Sequence, residues 1–454
     1  MAIVSSTTSK TAKPVLIGYM PPLEGIDKTR ANYAMHSSLI NIGDLVYTYA
    51  GALLCGGDDF IPWNFSLTAE EVNERCSQVI FFIPCRIAPP PYDDDGYPFE
   101  LVTQFIEKLT IPFTSISESV QSTGYDYSAS LHKELSPKVI RYLHTIADHS
   151  VVVGTRGEYS ADILKRLGIS NVEPVGCLSL YLNGPQLSPK LAMKRPFSEV
   201  EKVTVAYSNY QNNKQSRIKD ILQLAIDNGC HYVEQSFNLL VKALYYPGMI
   251  DAFDVHQATQ FYLGLNQIQQ LFEQNKVHYF TNYSIWKDFL GEMDFVFGAR
   301  MHGLTPAIHA GVPALFIAHD ARVREMCEFF DLPFIAEQDL PQGADLTIEN
   351  LYSRTDYQQT SQTYPLRYQA FLSFLTKNGI AANVKQDGQI HNYWQAKPSL
   401  SVLSSESVRS PITATDADFF SKICQAGLNI PDEYYESFKQ AGSLGKDWYK
   451  SRIK

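Results

Sequence analysis

The stretch Asp294–Phe330, DFVFGARMHGLTPAIHAGVPALFIAHDARVREMCEFF, packs strand, turn, helix, strand and helix signals into one short unit. Phe295–Phe297 is an apolar strand closed by Gly298, Leu304–His309 reads as a helix, Ala314–Ile317 as a second strand and Arg322–Phe330 as a second helix. Short apolar runs of this kind, each followed by a helix, are strands of a parallel sheet covered on both faces. Arg300 and His302 occupy the turn beyond the first strand, and Gly303 opens the helix, whose free backbone N–H groups favour an anion. Ligands of open parallel sheets bind at the carboxyl ends of the strands, where this turn falls.

The alternation extends outward. Strands at Val203–Tyr207, His231–Val233 and Val277–Phe280 interleave with helices at Ser216–Ile226, Gln260–Glu273 and Ile285–Leu290. An earlier half carries strands at Val15–Met20, Val79–Pro84, Ile111–Ser115 and Val151–Gly154, with helices at about Ile42–Leu54, Phe99–Leu109, Pro137–Asp148 and Ala161–Leu167. Between the halves, Gly176–Val200 is rich in Pro, Ser, Gly and Lys and has no steady period. The predicted fold class is α/β, two Rossmann-like lobes facing a central cleft, a glycosyltransferase B-type architecture. The expected division is a disordered leader over 1–13, an N-terminal Rossmann-like lobe over 14–178 and a linker over 179–201. A C-terminal Rossmann-like lobe over 202–380 carries the Arg-x-His site, and an irregular and helical extension occupies 381–454. Within it, Asp416–Ala426 and Asp432–Ala441 have helical spacing.

Bulk properties restrict the function classes. A chain of 454 residues exceeds the size of one core, so two domains with appendages are expected. A net charge of −10 argues against indiscriminate binding to nucleic acid or an anionic membrane, so any anionic ligand needs a local cationic pocket. The seven cysteines are scattered without CxxC spacing, which suggests neither a disulfide framework nor a zinc site and fits a reducing compartment. Met1–Lys13 lacks the apolar run of a signal peptide, and no stretch approaches a membrane span. A cytoplasmic location is expected, with peripheral membrane association open.

Three constellations carry chemistry. Arg300 can grip a carboxylate or phosphate through two parallel hydrogen bonds, and His302 can exchange a proton beside it; in the alternative, Arg300 caps or salt-bridges a helix and His302 fills a turn. In VVVGTRGEYSADILKRLG, Val151–Gly168, an apolar strand delivers Arg156 to the start of a helix that Ser160 can cap; Arg156 either faces the cleft or pairs with Glu158 or Asp162. Asn41-Ile42-Gly43-Asp44 heads the first helix: Gly43 permits close ligand approach, and Asn41 or Asp44 can bond a sugar hydroxyl, though Asn41 also suits an N-cap. His319, Asp320, Arg322 and Glu325 border the presumed cleft, and Asp320 also suits a helix cap. His309 reads as a satisfied core histidine. Cys177 reads as a buried structural thiol, since no base adjoins it in sequence. Tyr207, Tyr210, Tyr245 and Tyr246 either stack on sugar rings or pack with a wet edge. Asp93–Asp95 reads as a solvated turn, and no metal is expected.

Taken in order, NIGD, TRGEYSADILKRLGI followed by GCLSL, and GARMHGLTPAIHAGVPALFI resemble the pattern of the polysaccharide pyruvyl transferases over roughly Val15–Pro333. Leu178 stands where many members carry proline. The resemblance implies two B-type lobes, phosphoenolpyruvate as donor and a pyruvylated sugar, commonly a cyclic ketal, as product, with no cofactor. It places the family's cationic and histidine site residues on Arg156, Arg300 and His302. Donor contacts are then expected from Arg156, Arg300 and Gly303, proton transfer from His302, and acceptor contacts from Asn41, Gly43 and Asp44. The acceptor is a sugar or glycan, whether free, nucleotide-linked or lipid-linked. Competing readings are a nucleotide-sugar glycosyltransferase of the same fold and a non-catalytic glycan-binding protein.

Overall fold

The computed structural model describes residues 15–17, 43–55, 60–62, 67–82, 86–90, 98–121, 124–207, 216–235, 270–271, 274, 276–280 and 283–390. The leader, Asn41, Asp93–Asp95, Tyr210, Tyr245, Tyr246, nearly all of the helix expected over Gln260–Glu273 and the two helices expected beyond residue 415 lie outside the described residues.

The first half holds β1 (Val15–Ile17), α1 (Gly43–Cys55), β2 (Phe60–Pro62), α2 (Ala69–Arg75), β3 (Gln78–Phe81), β4 (Arg86–Ile87), α3 (Phe99–Glu107), β5 (Phe113–Ser115) and β6 (Ser119–Val120). The short α4 (Leu131–Glu134), then α5 (Pro137–His149), β7 (Val153–Thr155), α6 (Glu158–Arg166) and β8 (Val172–Pro174) complete it. Its main sheet is parallel in the order β2-β1-β3-β5, with Leu16 opposite Ile61 on one side and Val79 on the other. A parallel bridge between Glu118 and Thr155 leads on to the β7-β8 pair. The helices follow from their patterns. In α5, Pro137 opens the helix and Val139, Tyr142, Leu143 and Ile146 recur on one face, all buried.

The second half holds β9 (Val203–Ala206), α7 (Ile218–Asp227), β10 (His231–Val233), β11 (Val277–His278), α8 (Tyr283–Gly291), β12 (Phe295–Gly298) and α9 (Met301–Ala310). After these come β13 (Ala314–Ala318), α10 (Ala321–Phe330), β14 (Phe334–Ala336), α11 (Ile348–Ser353) and α12 (Gln358–Lys377). Its six strands are parallel in the order β11-β10-β9-β12-β13-β14. This is the doubly wound order, third, second, first, fourth, fifth, sixth, so the chain reverses direction across the sheet between β9 and β12 and leaves a crevice at their carboxyl ends. Gly298 closes β12 there with φ +155°, and a Cβ on it would lie 2.0 Å from the Ala206 carbonyl oxygen.

Each lobe has an apolar cluster of its own, and a third cluster spans both. Tyr47 and Leu53 of α1, with Ile80, Phe82 and Leu180, join a cluster containing Leu304, Ile308, Met326 and Phe330. The long α12 returns to the first lobe: Asn378, just past its end, accepts from Val152 N at 3.0 Å through its side chain and from Gln78 Nε2 at 3.0 Å through its carbonyl. Two Rossmann-like parallel lobes joined in this way form the expected B-type architecture. Among the described residues no helix is long and apolar enough to cross a membrane.

Candidate active site at the junction of the lobes

The turn after β12 is shorter than the sequence reading supposed. The helix opens at Met301, not Gly303, with Arg300 as its extended N-cap residue. No Ser, Asp or Asn marks this start, so the boundary had no sequence signature. His302 and Gly303 therefore sit in the first turn of α9, where the Gly303 N–H donates to the Arg300 carbonyl at 2.9 Å. Gly303 meets a close neighbour: a Cβ there would fall 2.2 Å from Gln235 Nε2 and 2.8 Å from Ala206 Cβ.

Arg156, Arg300 and His302 are all buried, at 4%, 7% and 9% exposure. Such burial of arginine calls for compensation by charge or hydrogen bonds. Arg156 follows β7 and its backbone N–H donates to the Glu118 carbonyl at 2.9 Å. The side-chain partners considered from sequence are not the ones found, since Asp162 binds Arg166 at 2.6 Å and Glu158 is exposed. The positive charge of Arg156 is instead felt by buried Glu118, buried Glu325 and His302. Its Nε is buried without a hydrogen-bond partner.

Two buried carboxyls flank this arginine. Glu118 accepts at Oε1 from Ser115 Oγ at 2.5 Å and Tyr142 Oη at 3.0 Å, while its Oε2 has no hydrogen-bond partner. Burial pushes its pKa up to about 7, against the opposing pull of those donors and of Arg156. Glu325 reaches from α10 to the first lobe, where Oε1 accepts from Ser160 N at 2.5 Å and Oε2 from Ser160 Oγ at 2.7 Å. Burial raises it to about 7 as well, partly offset by the Ser160 bonds and Arg156. Ser160 does not cap α6 as expected. The N-cap is Gly157, and Ser160, inside the first turn, passes the capping task to Glu325 of the other lobe while its Oγ accepts from Val120 N at 2.9 Å.

His302 receives neighbours from three segments. Burial, and then the cations Arg156 and Arg322, hold its imidazole well below the usual histidine range, so the ring is neutral at neutral pH. Its ring lies 5.3 Å from that of Tyr47 in α1, tilted by 38°. Its Nε2 is 3.4 Å from Cys177 Sγ. This overturns the reading of Cys177 as a thiol without a base beside it: the base comes from 125 residues further along the chain.

Among the remaining candidates, Gly43 is buried and is the first residue of α1, one turn before Tyr47 on the same helical face. Asp44 follows it in the first turn. Asp320 caps α10, accepting from Val323 N at 2.8 Å, and its Oδ2 lies 3.3 Å from Arg322 Nη2 and 3.5 Å from His319 Nε2. Burial opposes its ionisation, but Arg322, His319 and the backbone donors prevail and lower its pKa. His309 is half-buried at the far end of α9, with its Nδ1 bonded to the Tyr283 hydroxyl and its ring also engaged with the Ser179 backbone. Tyr207 is buried at 3% exposure beside Tyr232, the packing role. Sequence reasoning missed Tyr47 and Glu118; the one available signal was the i,i+4 relation of Tyr47 to the NIGD glycine. No group of acidic, histidine or cysteine side chains among the described residues has the arrangement of a metal site.

Two parallel α/β lobes thus meet at a cationic cluster and a histidine. The model of the polysaccharide pyruvyl transferase family matches residues 92–321, half of the chain, and the protein belongs to that family. The match includes Arg156, Cys177, Arg300 and His302. No curated protein matches the sequence. Among solved structures, the chain is similar to Anabaena HepE in complex with UDP and glucose, at 11% identity, covering 80% of this chain and 97% of that one with a TM-score of 0.36. It is similar also to the Methanocaldococcus jannaschii UDP-GlcNAc 2-epimerase in complex with UDP-GlcNAc and UDP, at 12% identity, 80% and 99% coverage and a TM-score of 0.38.

Proposed function

We propose that the protein transfers the pyruvyl group of phosphoenolpyruvate to a sugar of a glycan or glycan precursor, forming a ketal and releasing orthophosphate. The observation that carries this reading is that buried Arg156, with Arg322, acts on His302 in the first turn of α9, the helix whose N-cap is buried Arg300, in a chain of the pyruvyl transferase family. Phosphoenolpyruvate bears a carboxylate and a phosphate. Both gain from guanidinium forks and the positive end of a helix in a buried site. Arg156 and Arg300 are assigned to the donor, with the first turn at Gly303 beside it, where the Gly303 N–H is itself bonded to the Arg300 carbonyl. Arg322, with its side chain 27% exposed, supplies a further cation at the mouth.

The reaction needs a proton at the methylene carbon, which leaves an oxocarbenium-like centre at C2. A sugar hydroxyl adds to that carbon and loses its proton, the C2–O bond to phosphate breaks, and a second hydroxyl closes the ketal. His302 is assigned the proton transfer, as the histidine on which Arg156 and Arg322 act. The segment opening at Gly43 is assigned to the acceptor, because α1 places Tyr47 on the His302 ring; Asn41 and Asp44 belong to the same proposal.

The test is phosphate release from phosphoenolpyruvate by the purified protein across a panel of sugar, nucleotide-sugar and lipid-linked acceptors, with the thermal midpoint recorded beside it. Phosphoenolpyruvate should raise the midpoint, since it binds only the folded state. A rise with uridine or guanosine diphosphate and none with phosphoenolpyruvate would replace this reading by glycosyl transfer.

A further inference from the structure

We infer that Cys177 is a positioning residue for His302, fixing the tautomer in which Nδ1 carries the proton. The inference rests on the assignment of proton transfer to His302, but its geometry is independent of the donor.

The residues concerned form a short chain of bonds. Ser179 Oγ donates to Cys177 Sγ at 3.2 Å, and Cys177 Sγ lies 3.4 Å from His302 Nε2. Cys177 and Ser179 are wholly buried, and His302 nearly so. A thiol has one hydrogen to give. With the serine hydroxyl already filling an acceptor position on the sulfur, we assign that hydrogen to Nε2, the stronger acceptor within reach, so that Nε2 is the unprotonated ring nitrogen. A neutral imidazole has one N–H, and it is left on Nδ1. The burial of the ring and the two guanidiniums near it keep it neutral, so that the tautomer is a defined state.

The backbone is built to bring the sulfur there. Gly176 turns the chain after β8 with φ +77°, and a Cβ on it would lie 2.3 Å from the Phe330 ring of α10. Cys177 then enters the short 3-10 helix Leu178–Asn183, which packs against α1 and α9. The thiol of the first lobe therefore meets the histidine of the second only when the lobes are docked. Holding an imidazole in one tautomer through its second nitrogen is a known route to large rate effects, because the tautomer decides which ring nitrogen presents a lone pair and which a proton.

The test reads the ring directly. In ligand-free protein labelled with ¹⁵N-histidine, the His302 resonances, identified by their loss in His302→Gln, should show a protonated Nδ1 and a bare Nε2. Cys177→Ala should shift this population toward protonated Nε2, and Cys177→Ser, which keeps a donor, should restore it. In turnover, Cys177→Ala should lower kcat about tenfold while moving the phosphoenolpyruvate KM less than about twofold, with most activity regained in the serine variant. A wild-type ring protonated on Nε2, or an alanine variant with an unchanged tautomer, overturns the inference. If the alanine variant does not fold, the wild-type spectrum and the serine variant decide the matter. Failure of the wild type to use phosphoenolpyruvate would sink the donor assignment and leave the tautomer measurement standing.

Discussion

Replacing Glu118 by glutamine should make the protein more stable above neutral pH and remove part of its pH dependence. The carboxyl is fully buried, one oxygen has no hydrogen-bond partner, and its pKa rises from an ordinary 4.5 to about 7. A carboxyl raised on folding binds its proton more tightly in the native state. Its ionised form therefore opposes folding, and stability falls as pH climbs from about 4.5 through 7. At about 1.4 kcal/mol per pH unit that opposition reaches roughly 3 kcal/mol for Glu118. The attraction of Arg156 is already contained in that shift, so a gain of up to about 3 kcal/mol is expected for the neutral isostere at pH 8. The amide oxygen of the new side chain keeps the acceptor for Ser115 and Tyr142. Thermal midpoints of both proteins between pH 5 and 8 should coincide near pH 5 and separate by a few degrees at pH 8, the variant higher. Parallel curves would refute the argument, because they would mean that Glu118 titrates alike in the folded and unfolded chains.

Ser160→Ala should lower the thermal midpoint by several degrees: it strips the acceptor from buried Val120 N and the donor from Glu325 Oε2, at about 1–3 kcal/mol for each orphaned group. Gly298→Ala should fail to fold or lose most of its stability, read as soluble yield and near-ultraviolet dichroism, since the new methyl meets the Ala206 carbonyl oxygen at 2.0 Å. Arg300→Ala and His302→Ala should part company in phosphate-release kinetics. The first should chiefly raise the phosphoenolpyruvate KM, the second should chiefly lower kcat by about 100-fold or more, and equal loss of folding in both would undermine the assignment.

Elements set by local periodicity were legible in the sequence. The expected helix Pro137–Asp148 is found as Pro137–His149, the strand His231–Val233 is unchanged, and the strand at Ala314–Ile317 gains one residue. The start of α9 was not legible, because Arg300 takes the N-cap position without a side-chain capping bond and nothing in the residue types announces it. Nor was Ser160, whose preference for a cap position gave way to a carboxylate supplied by the other lobe. Arg156, Arg300 and His302 were visible because each stands next to the carboxyl end of an apolar strand. Tyr47, Glu118 and the Cys177–His302 pair were not, because their roles come from contacts between segments far apart in sequence, which no spacing rule encodes.

Those long-range contacts bear on how an acidic chain accommodates an anion. With a net charge of −10, the protein attracts no anion from a distance beyond the screening length of about 8 Å, and capture depends on the local field. Around Arg156 that field is set by Glu118 and Glu325, each with a pKa of about 7. Below that pH both carry protons, and the charge of Arg156 is available to a ligand; above it, two carboxylates compete for the same guanidinium. Under the proposed donor assignment, phosphoenolpyruvate affinity should therefore weaken as pH rises through 7, although the ligand's own phosphate becomes more negative over that interval. An affinity that strengthens across the same range, measured by titration calorimetry at constant ionic strength, would show that these two carboxyls do not govern the field at Arg156.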